Sequence, residues 1–314
     1  MEWSTELRVF GVACTALLAL LLWQAARPRR GPRWRWLPAT LAGLSAATFL
    51  WALNRWDLSS VHLRPVYPVL YAIALVVGLR RTPVAAPAHR SRSGTVLAVV
   101  VTVANVAVVA VFAPVAVAAL RGHATPAGAI ELASPFGAGR FVVVQGGDDP
   151  SINQHWPVRA QRHAIDVVAV NAAGFGLCAR RTGTLEDHVA YGAPVVAPCT
   201  GTVRTARDDH PDRSGDGPAP THVAGNHAVI ACGDALVMLA HLAAGSVAVA
   251  PGDRVRVGDP IGAVGNSGNT TEPHPHLHVA RHGSDPLADD ARGVPFTIGG
   301  RFLLRGDRVP SPSR

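Results

Sequence analysis

Residues 265–278 decide how this chain is interpreted, and they read Gly-Asn-Ser-Gly-Asn-Thr-Thr-Glu-Pro-His-Pro-His-Leu-His. His274, His276 and His278 occupy alternate positions directly after a glycine-rich turn. Alternate side chains of a β-strand share one face, so these three imidazoles are expected on the same side of a sheet. Because neutral imidazole is a common zinc ligand, the spacing predicts a metal site in a β-rich fold.

The positive charge of the chain is concentrated in its N-terminal part. The first 121 residues contain thirteen Arg and three acidic residues, whereas the remainder contains sixteen Arg and eighteen Asp or Glu. The arginines flank apolar segments, which argues against a basic patch that binds nucleic acid. The absence of Lys and the abundance of Arg, Ala, Gly and Pro are typical of a high-GC bacterial genome.

Four long apolar segments occupy residues 1–120, at about 7–26, 36–53, 66–79 with its flanks, and 95–120. Each approaches the ~20 residues needed to cross a bilayer, and the third is the shortest. A cleaved signal peptide is disfavoured because residues 1–8 contain two Glu and one Arg instead of a basic region. We therefore predict a four-helix transmembrane region over residues 1–120, anchored in the lipid bilayer of a bacterial cell.

Arginines between the apolar segments predict the orientation. They are concentrated in the first connection, from Arg27 to Arg35, and in the third, from Arg80 to Arg92. Positively charged connections stay in the cytoplasm, so the N-terminus and everything after the fourth segment are expected outside it. No ionisable residue lies in the middle of a segment, which favours an anchor over an ion pathway. A membrane protein partner for the helices is an additional expectation.

The remaining residues have the pattern of a mainly-β extracytoplasmic domain with an antiparallel sheet. Residues 121–134 are expected to form a linker, and short apolar runs separated by Gly, Asp, Asn and Pro continue from 135 to 314. Residues 207–225 are rich in Asp, Gly, Pro and Ser and are expected to be an exposed loop.

Cysteine positions agree with an exported second half. Cys199 and Cys232 each lie beside a strand-like run, and we predict that they form a disulfide and leave Cys178 outside the pair. The three cysteines allow three pairings, so sequence alone leaves the others open. No Cys-x2-Cys spacing occurs, so a zinc–cysteine site is not expected.

Histidines and one aspartate supply the candidate site, since eleven of the fourteen histidines follow residue 135. Asp166 interrupts an apolar strand, and a buried carboxylate is costly unless it is paired or bound to metal. His155 and His163 precede it, and His241 ends another apolar strand. A hydrolytic zinc site needs three protein ligands, an open position and acid–base groups, and these residues provide candidates for each.

Seven ordered blocks of residues resemble the LytM/lysostaphin-type zinc metallopeptidases of family M23. The resemblance extends from about Phe136 to Val309 and leaves the helices uncovered. The blocks are Asn-x-His, Gln-Arg-x-Ala-Ile-Asp, Gly-x-Pro-Val-x-Ala-Pro-Cys-x-Gly-x-Val, Gly-Asn-His, Ala-His-Leu, Val-x-x-Gly-Asp-x-Val and Gly-Asn-Ser-Gly-Asn-Thr-Thr-Glu-Pro-His.

The resemblance implies a β-rich groove and one Zn²⁺ held by a His, an Asp and the second His of a His-x-His pair. Carried onto this sequence, it makes Asp166 a ligand and His241 a catalytic residue. The ungapped match makes His274 catalytic and His276 the second His ligand, and His155 is our choice for the first.

Two alternatives remain open at this stage. Pro275 lies between the histidines where many members have Leu, and a bulge there would let His276 and His278 serve instead. The usual His-x-Gly-x-Asp motif is absent, so His163 is the runner-up to His155; three residues along a strand would place His163 and Asp166 on opposite faces.

The resemblance also implies the substrate class, the peptide part of bacterial cell-wall peptidoglycan. The predicted function is therefore a membrane-anchored zinc endopeptidase that attacks a peptide bond with metal-activated water. No His-Glu-x-x-His motif is present to supply a glutamate base. The alternative is a weakly active or inactive regulator of the same fold that binds the wall or activates another hydrolase.

Overall fold

A computed structural model describes residues 3–28, 33–82, 92–122, 124–137, 139–178, 184–213, 222–281 and 285–311. Arg29, Arg30 and Arg90, which contributed to the predicted orientation, lie outside these ranges. So do residues 214–221, within the segment 207–225 that was predicted to be an exposed loop.

Five helices form the N-terminal part of the structure. They are α1 (Trp3–Ala26), α2 (Arg33–Leu53), the short α3 (Trp56–Ser59), α4 (Leu63–Arg81) and α5 (Arg92–Arg121). Among the described residues, four helices are long and apolar enough to cross a membrane, as predicted. The third of these is longer than the apolar pattern indicated because Pro65 lies in its first turn, where the backbone N–H has no helical partner.

The long helices pack in two pairs, α1 against α4 and α2 against α5. Many apolar side chains on their outer surfaces remain exposed, among them Val9, Val12, Val96 and Leu97. A contiguous exposed apolar surface of this kind requires apolar cover, and closed backbone hydrogen bonding makes helices suitable for a lipid environment.

Twelve strands and two short 3₁₀ helices lie in the remainder of the described structure, and the strands build its sheets. They are β1 (Ile130–Leu132), β2 (Phe141–Gln145), β3 (Ile165–Ala169), β4 (Pro194–Val196), β5 (Gly201–Arg207), β6 (Asn226–Cys232), β7 (Ala235–Leu242), β8 (Arg254–Val255), β9 (Pro260–Ala263), β10 (His276–Arg281), β11 (Arg292–Gly293) and β12 (Phe296–Ile298).

The main sheet is antiparallel and confirms the predicted fold class. Its order is β2-β3-β10-β7-β6-β5-β8, with β11 also pairing with β10. Strand β10 therefore lies between β3 and β7, near the centre of the sheet. This position brings the histidine-rich segment next to the strand that carries Asp166 and the strand that carries His241.

Alternation of side chains separates the two faces of the sheet near its centre. Ile165, Leu239 and Leu277 point into the main hydrophobic core, and the residues next to them in sequence face the opposite side. That opposite face carries Asp166, Met238, Ala240, His276 and His278, all of them buried. The polar side chains of the candidate site thus lie over a sheet whose other face is a continuous apolar core.

The last part of the segment predicted to be a linker, 121–134, contains a short strand. Strand β1 lies inside this range and pairs in parallel with β12, and Leu132 is buried in the main core. The polar and Gly/Pro-rich character of the linker ends before Ile130, and the apolar side chains of β1 pack instead of remaining in solvent.

The predicted disulfide is present between Cys199 and Cys232, and Cys178 lies outside it. Cys199 lies two residues before the start of β5, and Cys232 ends β6, the strand that pairs with β5. The bond therefore ties together two neighbouring strands at the end of the sheet where β8 is also attached.

Removing this disulfide is expected to lower the free energy of unfolding by about 3–4 kcal/mol, because a 33-residue separation restricts the unfolded chain substantially. The measurement is chemical denaturation of Cys199→Ser/Cys232→Ser under oxidising conditions. Cys178→Ser is the matched control and should change stability by about 0.5 kcal/mol or less. Equal stability of the double variant and the native chain would contradict the prediction.

The segment between α2 and α4, residues 54–62, which we call the α2–α4 loop, is packed against the β-rich part. Ser60 Oγ donates to the Ala173 carbonyl at 2.8 Å, and His62 Nε2 donates to the Ala172 carbonyl at 3.1 Å. Just beyond the loop, Arg64 forms an ion pair with Asp307 at 2.9 Å. The helices and the sheet domain are therefore joined by directed polar contacts as well as by the chain connection.

Candidate metal centre

Asp166 and His276 are brought together by strand register. They are directly paired residues of the neighbouring antiparallel strands β3 and β10, and paired side chains on one face lie within contact distance. His276 Nδ1 is 2.8 Å from Asp166 Oδ1. The apolar strand interrupted by one aspartate thus places that carboxylate beside the histidine-rich strand.

His155 reaches the same carboxylate from the connection between β2 and β3. Its Nε2 is 2.8 Å from Asp166 Oδ2. The connection is held by Asn153, a buried residue whose side-chain amide donates to the Gly147, Arg162 and Ala164 carbonyls. Asn153 Oδ1 also accepts from the His155 backbone N–H at 3.1 Å, so the Asn-x-His block has a structural cause.

His155, Asp166 and His276 form a group that could hold a metal ion. One ligand atom from each residue lies within 4.8 Å of the others. The set consists of two imidazole nitrogens and one carboxylate oxygen, which fits zinc and is the composition of hydrolytic sites with three protein ligands. Asp166 is only 3% exposed, and a carboxylate at that depth requires cationic or metal partners.

Electrostatics favour the ligand forms of Asp166 and His276. Burial raises the pKa of the Asp166 carboxyl, but charge interactions and hydrogen bonds with His155 and His274 outweigh burial and hold the pKa well below its ordinary value. Burial lowers the pKa of the His276 imidazole. An ionised carboxylate and a neutral imidazole are the forms that bind a metal cation.

A chain of hydrogen bonds orients His276. The Pro286 carbonyl can only accept, so His278 Nε2 donates to it at 3.2 Å and His278 Nδ1 becomes an acceptor. His276 Nε2 lies 2.9 Å from that Nδ1 and must be the donor. The lone pair of His276 Nδ1 is then directed at the Asp166 side of the site. His278 thus lies behind His276, as outer partners of metal-binding histidines commonly do.

His241 faces the site from a β-bulge. Asn226 pairs with Leu242 and His227 with Ala240, so His241 is an additional residue in β7. Its φ is +60°, a left-handed conformation that is uncommon for residues other than glycine. Bulges near functional sites redirect a side chain. His241 Nδ1 donates to the Ser267 carbonyl at 2.8 Å, which leaves Nε2 free of that contact.

His274 lies opposite His241, with 4.9 Å between the ring centroids. Its Nδ1 donates to the Glu272 carbonyl at 2.8 Å, and its Nε2 is 3.6 Å from Asp166 Oδ1. Burial lowers the pKa of His274, but the charge of Asp166 and hydrogen bonds outweigh burial, so the pKa is raised. Burial, followed by the charges of His274 and His276, holds the pKa of His241 well below its ordinary value.

The structure places the two alternatives to this ligand set away from the cluster centre. His163 points to Asp148, with Nδ1 3.8 Å from its carboxylate, and packs near Phe302. His278 contacts His276 and Pro286 instead of Asp166. Strand β10 begins at His276, after Pro275, so the proline precedes the paired strand and does not interrupt it.

A groove of about 510 Å³ opens over this face of the sheet. Polar side chains from the site form one part of its lining, including His155, His241 and His276. Apolar side chains form another part, including Val223, Met238 and Leu287. A concave site with few convergent polar groups and an apolar wall is typical of substrate-binding clefts.

Two features of the site were not predicted from the sequence. The outer role of His278 was available in principle from the alternate spacing, but its acceptor, the Pro286 carbonyl, carries no sequence signal. The second feature is an ion pair between Arg55 and Glu272, with 2.7 Å between Arg55 Nη1 and Glu272 Oε1. Arg55 lies in a short connection between two of the apolar segments, and nothing in the sequence indicates its partner.

Comparison with known proteins shows a family similarity within the C-terminal part. Residues 184–288 match the model for peptidase family M23. The match confirms the resemblance predicted from the sequence over that segment, which includes His241, His274 and His276 but begins after Asp166. No curated protein matches the chain significantly.

Three solved structures show weaker similarity. A zinc-containing peptidase from Vibrio cholerae is 24% identical, with a TM-score of 0.24, over 39% of this chain and 26% of that chain. The catalytic domain of a variant of the prophage-encoded M23 protein EnpA from Enterococcus faecalis is 20% identical, with a TM-score of 0.31, over 54% and 95%. Lysostaphin from Staphylococcus simulans is 22% identical, with a TM-score of 0.25, over 33% and 41%.

Proposed function

We propose that this chain is a membrane-anchored zinc endopeptidase that cleaves peptide bonds of bacterial peptidoglycan outside the cytoplasm. The proposal rests on the convergence of His155, Asp166 and His276, whose ligand atoms lie close enough together to bind one metal ion. His241 and His274 lie beside this cluster. The match of residues 184–288 to peptidase family M23 supports the reaction class. The peptidoglycan substrate follows from that family resemblance.

Support for the membrane anchor comes from the four long apolar helices and their exposed apolar surfaces. Support for the orientation comes from the α2–α4 loop, because Ser60 and His62 donate to carbonyls of the sheet domain. This loop and the domain must therefore lie on the same side of a bilayer. Arginines in the other two connections favour the cytoplasmic side for those connections, which supports an orientation with the loop, the domain and the N-terminus outside.

His155, Asp166 and His276 would hold the zinc ion, which supplies Lewis acidity and lowers the pKa of a bound water to roughly 7. The proton transfers would be carried out by His241 and His274, the two histidines that do not hold the zinc ion. Nδ1 of His241 and Nδ1 of His274 donate to backbone carbonyls, so each ring is held with Nε2 available for proton transfer.

One of these Nε2 atoms accepts the proton of the attacking water, and the other donates to the oxygen of the substrate carbonyl as negative charge develops there. The protonated base then gives its proton to the leaving amine, which completes hydrolysis.

The full-length protein, purified in detergent or nanodiscs, is expected to bind one zinc ion per chain and to release new amino groups from purified peptidoglycan. Removing zinc with a chelator should abolish this release, and adding zinc back should restore it. Counting reducing sugar ends on the same sample separates peptide cleavage from glycan cleavage.

Two results would contradict the proposal. Release of reducing sugar ends without new amino groups would show that the chain cleaves glycan bonds instead of peptide bonds. One equivalent of zinc with no turnover of any wall preparation would favour the non-catalytic regulator.

A further inference from the structure

Arg55 connects the helical part of the molecule to the candidate active site. It lies in the α2–α4 loop, and its guanidinium makes two hydrogen bonds to Asp57, at 2.8 and 2.7 Å. The third contact is the 2.7 Å ion pair between Nη1 and Glu272 Oε1. A planar guanidinium can satisfy two carboxylates at defined angles, which a lysine ammonium cannot reproduce.

This ion pair is shielded from solvent. The exposed fractions of the side chains are 14% for Arg55, 9% for Glu272 and 2% for Asp57. Burial raises the pKa of Glu272, but the charge of Arg55 outweighs burial and the pKa is lowered. Removing one member of a buried pair leaves the other charge uncompensated, so the position of the Glu272 side chain depends on Arg55.

Glu272 is joined to His274 through the backbone. The Glu272 carbonyl accepts from His274 Nδ1 at 2.8 Å and from the Thr270 hydroxyl at 2.7 Å. Pro273 lies between the two residues, and its ring restricts both its own backbone and that of residue 272. A displacement of residue 272 is therefore passed to the His274 ring with little opportunity for compensation.

We propose that Arg55, supplied by the loop between two membrane helices, is a positioning residue of the peptidase site, acting through Glu272 on the orientation of His274. This inference rests on the proposed function, because it concerns the same catalytic histidine. It implies that the helical part completes the active site in addition to anchoring it.

Arg64 provides a matched control. It also lies at the junction of the helices and the sheet domain, and it forms a 2.9 Å ion pair with Asp307 at similar exposure, 13% and 14%. Its second contact, to the Arg305 carbonyl, is likewise outside the histidine cluster. Loss of the Arg64 contact should weaken the junction without moving His274.

The test compares full-length Arg55→Lys, Glu272→Gln, their double variant and Arg64→Met for zinc content, thermal unfolding, kcat and KM. We expect Arg55→Lys and Glu272→Gln each to lower kcat between about 10- and 100-fold, since a displacement of about 1 Å can cost 100-fold in rate. Zinc content and KM should stay near the native values, because neither the ligands nor the groove changes.

Two further results are expected from the same series. The double variant should be no slower than the slower single variant, because both substitutions break one connection. Arg64→Met should keep kcat within about twofold of the native value, since its contacts do not reach the cluster.

The inference is overturned if Arg55→Lys and Glu272→Gln keep native kcat, if their effects multiply, or if Arg64→Met lowers kcat as much as they do. A parallel loss of zinc and stability in the Arg55 and Glu272 variants would also overturn it, because that result assigns the pair a merely structural role. Absence of turnover by the native chain would instead overturn the proposed function.

Discussion

Asp166→Asn is expected to abolish zinc binding and peptide hydrolysis together. Both oxygens of Asp166 contact imidazoles at 2.8 Å, so the carboxylate is the member of the cluster that touches both other candidate ligands. The substitution keeps the shape of the side chain and removes its charge. We expect zinc affinity to fall by about 100-fold or more and turnover by about 10⁴-fold or more, measured by metal analysis and by release of amino groups.

Asp148→Asn is the matched control for this substitution. Asp148 also lies near a histidine, 3.8 Å from His163 Nδ1, but outside the metal cluster. The amide keeps an oxygen that can accept from Trp156 Nε1, which donates to Asp148 Oδ1 at 2.9 Å. Zinc content and turnover should therefore remain near native. Retention of native zinc affinity by Asp166→Asn would disprove the ligand set.

The same metal analysis distinguishes the two possible assignments of the His-x-His pair, His274/His276 and His276/His278. His276→Ala should remove zinc altogether, because His276 Nδ1 faces Asp166. His278→Ala should weaken zinc binding only by about 10- to 100-fold, as is typical of a residue that orients a ligand. Complete zinc loss in His278→Ala with full occupancy in His276→Ala would assign the other pair.

His241→Gly is expected to lower turnover by about 100- to 10⁴-fold, the usual contribution of a positioned acid–base group. Zinc content should be unchanged, because His241 is not one of the three candidate zinc ligands. Stability should not fall with activity, since φ at this position is +60° and glycine adopts that conformation without the strain of a side chain.

His241→Ala is the comparison that isolates the backbone effect. Both variants lack the imidazole, so both should be equally slow. Alanine retains the strain, and His241→Ala should be less stable than His241→Gly by about 1 kcal/mol. Thermal unfolding and turnover of the two variants give both quantities. Turnover of His241→Gly within about threefold of native would exclude a role for this histidine in proton transfer.

Local sequence patterns predicted much of the fold. The alternation of His276, Leu277 and His278 predicted one strand with a polar face and an apolar face, as the structure has it. The aspartate inside the apolar run 165–169 indicated a buried carboxylate with a functional partner. Both inferences depend only on period-two geometry and on the cost of burying charge, which are properties of neighbouring residues in the sequence.

Other features depend on contacts between distant segments and were therefore inaccessible. Asn153 holds His155 in place by donating to three carbonyls that meet only in the folded chain. The bulge that aims His241 appears only when β6 and β7 are paired. Arg55 and Glu272 belong to different structural units, and a single sequence gives no information on which charged residues will meet across them.

Contacts at the junction of the helices and the sheet domain also limit the reach of the proposed enzyme. A catalytic unit on a flexible tether would sweep a volume set by the length of its connection, whereas Ser60, His62, Arg64 and Arg55 clamp this one to the ends of the helices. In the proposed orientation the cleft is held at the height of the bilayer surface. The proposed peptidase would then act from a fixed position, and the wall peptides within its reach would be those that come down to the membrane.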